Sequence, residues 1–201
     1  PSLAPWRNAL RKIRRFKPHI LTEREERLLA LCRDPIAGHH RAFSQLTNVD
    51  MTFGSLRDEK GRTRELSQSS FASFLMSRDP AVRRDAFHQF YREFADHDHT
   101  LAAMLSSSIK ADVFDARARN HPSAIAAALF ADDVPVTVYD NLIATVRRHL
   151  DHLFEYLELR RRTLGLDAIH HYDTYVPLVA DIATDHPFEQ AAELVLESLD
   201  P

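Results

Sequence analysis

The stretch that decides the fold runs from Asp79 to Arg119 and is DPAVRRDAFHQFYREFADHDHTLAAMLSSSIKADVFDARAR. Its large apolar residues recur at steps of three, four or seven: Phe87, Phe90, Phe94, Leu101, Leu105, Ile109 and Val113. This spacing places them along one face of an α-helix. Asp79-Pro80 is typical of a helix start, because aspartate caps free amide groups and proline fits the first turn. The stretch therefore predicts one long helix that ends near Arg119.

A second long helix is predicted to begin at Pro135. Its apolar residues recur at the same steps: Tyr139, Leu142, Val146, Leu150, Leu153, Leu157 and Leu164. Gly165 follows directly, where a glycine commonly ends a helix. Together the two stretches predict an all-α fold with two long antiparallel helices as its spine.

Shorter helices and one hairpin are predicted around these two. The first of these helices begins at Pro5, and Pro18 is predicted to end or bend it. The others are predicted from Thr22 to about Arg33, from Asp34-Pro35 to about Asn48, from Ser67 through Met76, from Pro122-Ser123 to about Phe130, and from His186-Pro187 through Leu199. A short β-hairpin is predicted near residues 52–66, because a polar turn with Gly61 separates two strand-like pieces.

The composition excludes several classes of protein. Four glycines in 201 residues are too few for most sandwiches, propellers and Rossmann domains, and no phosphate-binding loop is present. A formal net charge of −3 gives no reason to expect nucleic acid or an anionic membrane as a partner. No apolar run approaches the length of a membrane-spanning helix, and a single cysteine forms no internal disulfide. These features favour a cytoplasmic protein and leave its oligomeric state open.

The twelve histidines raise the question of a metal site. A helical zinc protease needs His-Glu-x-x-His, and no histidine here is followed by glutamate, so that site is not in this chain. Glu93 and His97 share a helix face with His99 close by, which leaves a histidine-based metal binder as one hypothesis and a solvated polar stripe as the simpler one. His149 and His152 are interpreted as surface or inter-helix positions, and His39 and His40 are expected to point apart.

Nucleophilic chemistry finds little support in the sequence. Cys32 follows the apolar run Leu28–Leu31, which favours a small buried residue over a reactive thiol. Ser106, Ser107 and Ser108 lie in the middle of a predicted helix without the strained turn that exposes a catalytic serine. No residue is therefore assigned as catalytic or metal-binding, and the substrate-binding residues remain unassigned.

The predicted first helix has a basic face and an apolar one. The basic residues are Arg7, Arg11, Lys12, Arg14, Arg15 and Lys17, and the apolar residues are Trp6, Leu10, Ile13 and Phe16. We interpret this as a packed helix with a solvated outer face. The alternative is a surface for an acidic partner or membrane, which would make the chain a stand-alone helical interaction module.

Several segments resemble one protein family. They are Lys17-Pro18-His19, residues 78–87 (RDPAVRRDAF), residues 116–125 (ARARNHPSAI), residues 134–143 (VPVTVYDNLI) and residues 171–178 (HYDTYVPL). In this order, together with the Gly61 hairpin, they resemble oligoendopeptidase F, of the thimet-oligopeptidase-like zinc metallopeptidases. The resemblance covers nearly the whole chain.

The resemblance implies an intracellular, mostly helical peptidase that encloses oligopeptides in a deep cleft and hydrolyses them at one zinc ion. It implies that residues 1–78 form the N-terminal helical domain, incomplete at its start, and that residues 79–201 begin the catalytic domain as a cleft wall. The zinc ligands would lie C-terminal to this chain, so we expect no zinc bound here and no activity from the chain alone. Tyr172, Asp173 and Tyr175 are interpreted as fixing an irregular junction, and Arg117–Asn120 as ending a helix.

Overall fold

The structure is a computed structural model that describes residues 3–179 and 187–199. The helices within those residues are α1 (Arg7–Arg15), α2 (Glu23–Ile36), α3 (Gly38–Gln45), α4 (Gln68–Leu75), α5 (Pro80–Asp96), α6 (Asp98–Ala118), α7 (Ala124–Phe130), α8 (Val136–Arg148), α9 (Leu150–Thr163) and α10 (Phe188–Leu199). Two strands, β1 (Ser55–Arg57) and β2 (Thr63–Glu65), form one antiparallel pair. The mostly helical fold with one short hairpin is confirmed.

Local sequence explains where several helices begin. Thr22 and Glu25 form a reciprocal capping box at the start of α2, and Ser67 and Ser70 do the same at α4. The Asp79 carboxylate accepts a hydrogen bond from the Ala81 amide at the start of α5. These three starts were predicted from the sequence. The predicted start of the last helix at His186 lies outside the described residues.

The hairpin is fixed by its turn and by a close approach at its base. Gly61 has a φ of +74°, and the Asp58 carboxylate accepts hydrogen bonds from the amides of Lys60 and Arg62. At the base, Gly54 has a φ of +72°, and an added Cβ would lie 3.0 Å from Nε2 of Gln89. That side chain donates to the Phe53 carbonyl at 2.6 Å. Gly54 therefore lets α5 approach the strand.

Each predicted long helix is divided in two by a histidine. His97 (φ −114°, ψ 16°) separates α5 from α6, and His149 (φ −109°, ψ 16°) separates α8 from α9. The apolar steps continue across both breaks, from Phe94 to Leu101 and from Val146 to Leu150. A periodic pattern reports which residues share a face and not the backbone angles between them, so it does not detect a one-residue interruption.

The predicted start of the third helix at Asp34-Pro35 is wrong. Pro35 lies in the last turn of α2, and α3 begins at Gly38. The boundary falls at Ala37, whose amide donates to the Arg33 carbonyl as α2 ends. A π-helical turn, Leu46–Asp50, then follows α3.

The core lies between the hairpin, α4 and α5. Its buried members are Met51, Phe53, Leu66, Phe74, Ala86 and Phe90. The rings of Phe53 and Phe71 stack on Phe90 with centroids 4.4 and 4.0 Å away. Helix α6 packs mainly on α3 and α7, and α8 on α7 and α9. None of the described helices has the length and apolarity needed to cross a bilayer.

Candidate functional site

The residues of the histidine-based metal hypothesis do not converge. The Nδ1 atom of His97 lies 2.9 Å from the Glu93 carbonyl oxygen of its own helix and 3.7 Å from the Glu93 carboxylate. The side chain of His99 is fully exposed and lies near Asp98. Residues 3–179 and 187–199 contain no group of three or more His, Cys, Asp or Glu side chains placed to hold a metal ion.

The two other histidine pairs are ring contacts along the helices. His149 and His152 stack with centroids 5.8 Å apart, across the break between α8 and α9. His39 and His40 were expected to point apart, and that expectation is wrong, because their centroids lie only 4.2 Å apart. These residues lie in the first turn of α3, where the His39 Nδ1 atom reaches the Ile36 carbonyl at 2.7 Å. That hydrogen bond turns the ring towards its neighbour.

The candidate nucleophiles show no activating partner. Cys32 was expected to be buried, and this is wrong. Cys32 is exposed, because α2 buries none of its residues. Leu28 and Leu31 beside it are also exposed. Ser107 donates to the Ala103 carbonyl at 2.9 Å, as a serine inside a helix commonly does.

Buried arginines on α5 and α9 bind the irregular segment that follows α9. The Arg83 guanidinium donates from Nε and Nη2 to one oxygen of the Asp173 carboxylate, at 2.9 and 2.6 Å. The other carboxylate oxygen accepts the His170 amide at 2.9 Å. Arg160 donates to the carbonyls of Asp173 and Val176 at 3.0 and 2.6 Å. Both arginines and Asp173 are buried, so we call this set the arginine–aspartate junction.

The sequence predicted the acid of this junction but missed its arginines. Arg83 continues the buried stripe of α5, three residues before Ala86 and seven before Phe90. A cation at a core-facing helical position requires a buried partner. The position of Arg83 on this stripe is therefore the sequence signal that could have revealed a buried ion pair. Tyr172 stacks on the His170 ring at 4.9 Å, whereas Tyr175 is exposed. The observed bonds fix the segment's shape, as the sequence predicts for the Asp173 cluster.

The N-terminal arm, defined as residues 3–26, is held to the end of α6 and to α7 by a set of contacts that we call the clasp. Arg15 lies over the Phe130 ring at 4.4 Å and pairs with Asp133 at 3.1 Å. Arg119 binds both carboxylate oxygens of Glu26, at 2.9 and 3.0 Å. These hydrogen bonds lower the pKa of Glu26.

Two histidines lie at the centre of the clasp. The rings of His19 and His121 stack with centroids 3.7 Å apart and planes 6° from parallel. The Phe130 ring meets both of them edge-on, at 4.5 and 5.1 Å. Burial, and then the neighbouring charge of His19, lower the pKa of the His121 imidazole below its ordinary value of 6.5.

The first helix is not packed as expected. Helix α1 buries none of its residues, and Trp6 and Ile13 on its apolar stripe are 64% and 68% exposed. The second half of the helix reaches the clasp: Arg11 pairs with Asp133 at 3.1 Å, and Phe16, just after the helix, meets the Phe130 ring edge-on at 5.1 Å. An amphipathic pattern reports that one face prefers burial, and it does not supply the partner surface.

A larger apolar surface covers α8 and α9. Its exposed members are Val138, Tyr139, Leu142, Ile143, Val146, Leu153, Phe154, Tyr156 and Leu159, and we call this set the open face. Soluble monomers rarely expose so many large apolar residues on adjacent helices. The face is therefore of the kind that packs against further protein.

The fold matches part of a solved oligoendopeptidase structure. The crystal structure of oligoendopeptidase-F from Enterococcus faecium superposes with a TM-score of 0.82 at 32% identity, over 96% of this chain and 37% of that one. A crystal structure from Chlamydophila abortus superposes with a TM-score of 0.86 at 33% identity, over 99% of this chain and 33% of that one.

Sequence comparison gives the family. Residues 73–197 match the model of peptidase family M3, and residues 1–53 match the model of oligopeptidase F. The chain belongs to peptidase family M3. It is 38% identical over 196 residues to oligopeptidase PepF of Bacillus subtilis, and 36% identical over 200 residues to an oligoendopeptidase F homolog of Borreliella burgdorferi. These matches include 98% and 100% of this chain, but the chain spans only 29% and 33% of the length of the two relatives.

Proposed function

We propose that these 201 residues supply the N-terminal domain and one wall of the substrate cleft in a cytoplasmic, zinc-dependent metalloendopeptidase that hydrolyses oligopeptides. Residues 1–78 would form the N-terminal domain, and residues 79–201 the first part of the catalytic domain. The observation that carries the proposal is the end-to-end match to oligopeptidases about three times as long.

The open face supports an incomplete catalytic domain. Leu142 on α8 and Leu153 on α9 belong to the apolar stripe that the sequence predicts along the second long helix, yet 61% and 48% of their surface is exposed. Burial of an apolar surface stabilises a protein by about 25 cal/mol per Å². Such a stripe is therefore best explained by a packing partner that the described residues do not include, namely the remainder of the peptidase.

The zinc ion would not be held by the described residues. The sequence has no His-Glu-x-x-His motif, and no suitable cluster of ligands forms among residues 3–179 and 187–199. The His, Cys, Asp and Glu side chains of the described residues do not fit a zinc ion, so no catalytic step is assigned to a residue of this chain. Its contribution to the reaction would be to enclose the peptide and support the domain that binds zinc.

A chimera tests this assignment. The 196 residues matched in Bacillus subtilis oligopeptidase PepF would be replaced by this chain, and cleavage of a quenched fluorescent oligopeptide would be measured with and without a chelator. We expect a folded chimera with chelator-sensitive activity, and no cleavage by the 201-residue chain alone with added zinc. Chelator-sensitive cleavage by the isolated chain, or a folded but inactive chimera, would contradict the proposal.

A matched pair of substitutions tests the open face within the same chimera. Leu153→Asp should lower its stability and activity strongly, because the aspartate would be buried without a partner. Glu155→Gln, on the exposed side of the same helix, should change neither. Equal behaviour of the two variants would remove the support that the open face gives.

A stand-alone helical interaction module is the second candidate function. It is favoured by the exposure of both the basic and the apolar faces of α1. This candidate predicts that the isolated chain is monodisperse and unfolds cooperatively. Self-association through exposed apolar surface, seen by light scattering and dye binding, would instead support the peptidase assignment.

A further inference from the structure

The stacked histidines of the clasp connect two separate parts of the chain. His19 belongs to the arm and follows Pro18, whereas His121 lies just after the end of α6. The Nδ1 atom of His19 lies 2.7 Å from the Arg119 carbonyl oxygen. Because a carbonyl only accepts, Nδ1 must carry the proton in this contact. A neutral His19 then has an unprotonated Nε2, and a second proton would make the ring a cation.

The surroundings of the pair already contain positive charge. From α6, the Arg119 guanidinium and the Asp115 carboxylate face His121, and Arg119 itself is engaged by Glu26 of α2. From α1, Arg15 lies beside the shared Phe130 ring and is engaged by Asp133. The acids near the pair are therefore largely committed to arginines. Protons on both imidazoles would place two cations face to face at 3.7 Å, next to Arg119.

We propose that the His19–His121 stack is a pH-sensitive element of the clasp, which releases the N-terminal arm from α6 and α7 when the pH falls below neutral. The rings pack as neutral partners, and their protonation turns a favourable stack into a repulsive contact. The arm would then separate from α6 and α7 while the hairpin core stays folded. This inference concerns the chain itself and does not depend on the peptidase assignment.

The direction of the pH dependence follows from linkage. The pKa of His121 is lower in the docked arm than its ordinary value of 6.5, so release of the arm is accompanied by proton uptake. Docking is therefore complete above pH 6.5 and weakens as the pH falls through the pKa of the docked form. Glu26 remains ionised in this range, because its pKa is lowered below the ordinary 4.5. The change in charge near neutral pH is therefore assigned to His121.

Hydrogen exchange of the arm amides tests the proposal. The 201-residue chain, at low concentration, would be compared between pH 7.5 and 5, with rates corrected for the intrinsic pH dependence of exchange. Each proton taken up can weaken docking by at most about tenfold per pH unit. We expect arm protection to fall as the pH drops below 6.5, by at most about tenfold per pH unit for each proton taken up, and we expect no loss of protection in α4 and α5.

The variant His19→Asn, His121→Phe keeps an amide donor and a flat ring but does not titrate. Its arm protection should be independent of pH between 7.5 and 5. The matched control is His99→Gln, at a fully exposed histidine, and it should behave as the unmodified chain does. Arm protection that is independent of pH in the unmodified chain, or equally pH-dependent in the double variant, would overturn the proposal.

A second measurement covers the case in which the double variant does not dock its arm at any pH. The imidazole of His121 would then be titrated by NMR in the unmodified chain. The proposal requires that the pKa of His121 lie below the ordinary 6.5 and that the arm amides shift with the same midpoint. A midpoint at or above 6.5 for His121, or arm shifts at a different pH, would overturn it.

Discussion

The hairpin core and the open face are made of similar residues in opposite situations. Leu66 and Phe74 are almost fully buried between the hairpin, α4 and α5, whereas Leu142 and Phe154 are more than half exposed on α8 and α9. Steps of three, four and seven residues place Phe90 of α5 and Leu142 of α8 alike on the apolar face of a predicted helix, yet only Phe90 is buried. The difference shows that apolar spacing specifies a face, while burial depends on whether a partner surface is present.

The largest difference in the free energy of unfolding is expected between a variant of the arginine–aspartate junction and a variant of an exposed ion pair. Asp173→Ala would leave Arg83 as a buried, uncompensated cation, which costs about 3–5 kcal/mol. Asp34→Ala removes the acid of the exposed Arg41–Asp34 pair and should cost at most about 1 kcal/mol. Urea unfolding of the two variants measures the difference. Similar losses would mean that the junction is not closed to water.

A leucine pair makes the comparison between the hairpin core and the open face direct. Leu66→Ala should lower the free energy of unfolding by about 2–5 kcal/mol, because it leaves a cavity in the packed core. Leu142→Ala should change it by about 0.5 kcal/mol or less, since the side chain has little packing to lose. The same unfolding measurement applies. A large loss for Leu142→Ala in the isolated chain would show that the open face is covered there, for instance by self-association.

The smallest effect is expected at the rim of the clasp. The lowered pKa of Glu26 means that its contribution to docking is complete above the ordinary value of 4.5 and is lost as the pH falls through the lowered pKa. Glu26→Gln should therefore weaken arm protection modestly at neutral pH. It should also remove the loss of docking that follows protonation of Glu26 at acid pH. Glu155→Gln, an exposed acid on α9, is the control and should change neither. Hydrogen exchange of the arm measures both, and an unchanged acid-side loss in Glu26→Gln would contradict the assignment.

Local chemistry was the most predictable part of the fold. The caps at Thr22, Ser67 and Asp79 and the turn at Gly61 depend on residues only a few positions apart, so the sequence displays them directly. The breaks at His97 and His149 were missed because the apolar pattern continues through them. The exposure of Cys32 was missed because a leucine-rich segment was assumed to find a partner.

The candidate sites divide in the same way. The absence of the zinc-protease motif could be established from the order of residues alone, and the Asp173 segment could be singled out as a structural junction. The partners of that junction could not, since Arg83 and Asp173 are 90 residues apart. The stacking of His19 on His121, across about 100 residues, left no local pattern to detect.

The sequence by itself determined the helical class, the hairpin, most helix boundaries and the resemblance to a peptidase family, because these depend on local chemistry and on the order of motifs. Only the tertiary structure decided which apolar faces are buried, where Arg83 and Arg160 find their partners, and how two histidines come to share one surface. Those outcomes depend on residues far apart in the chain meeting in space. Burial and pairing are properties of both partners, and one segment of sequence describes only one of them.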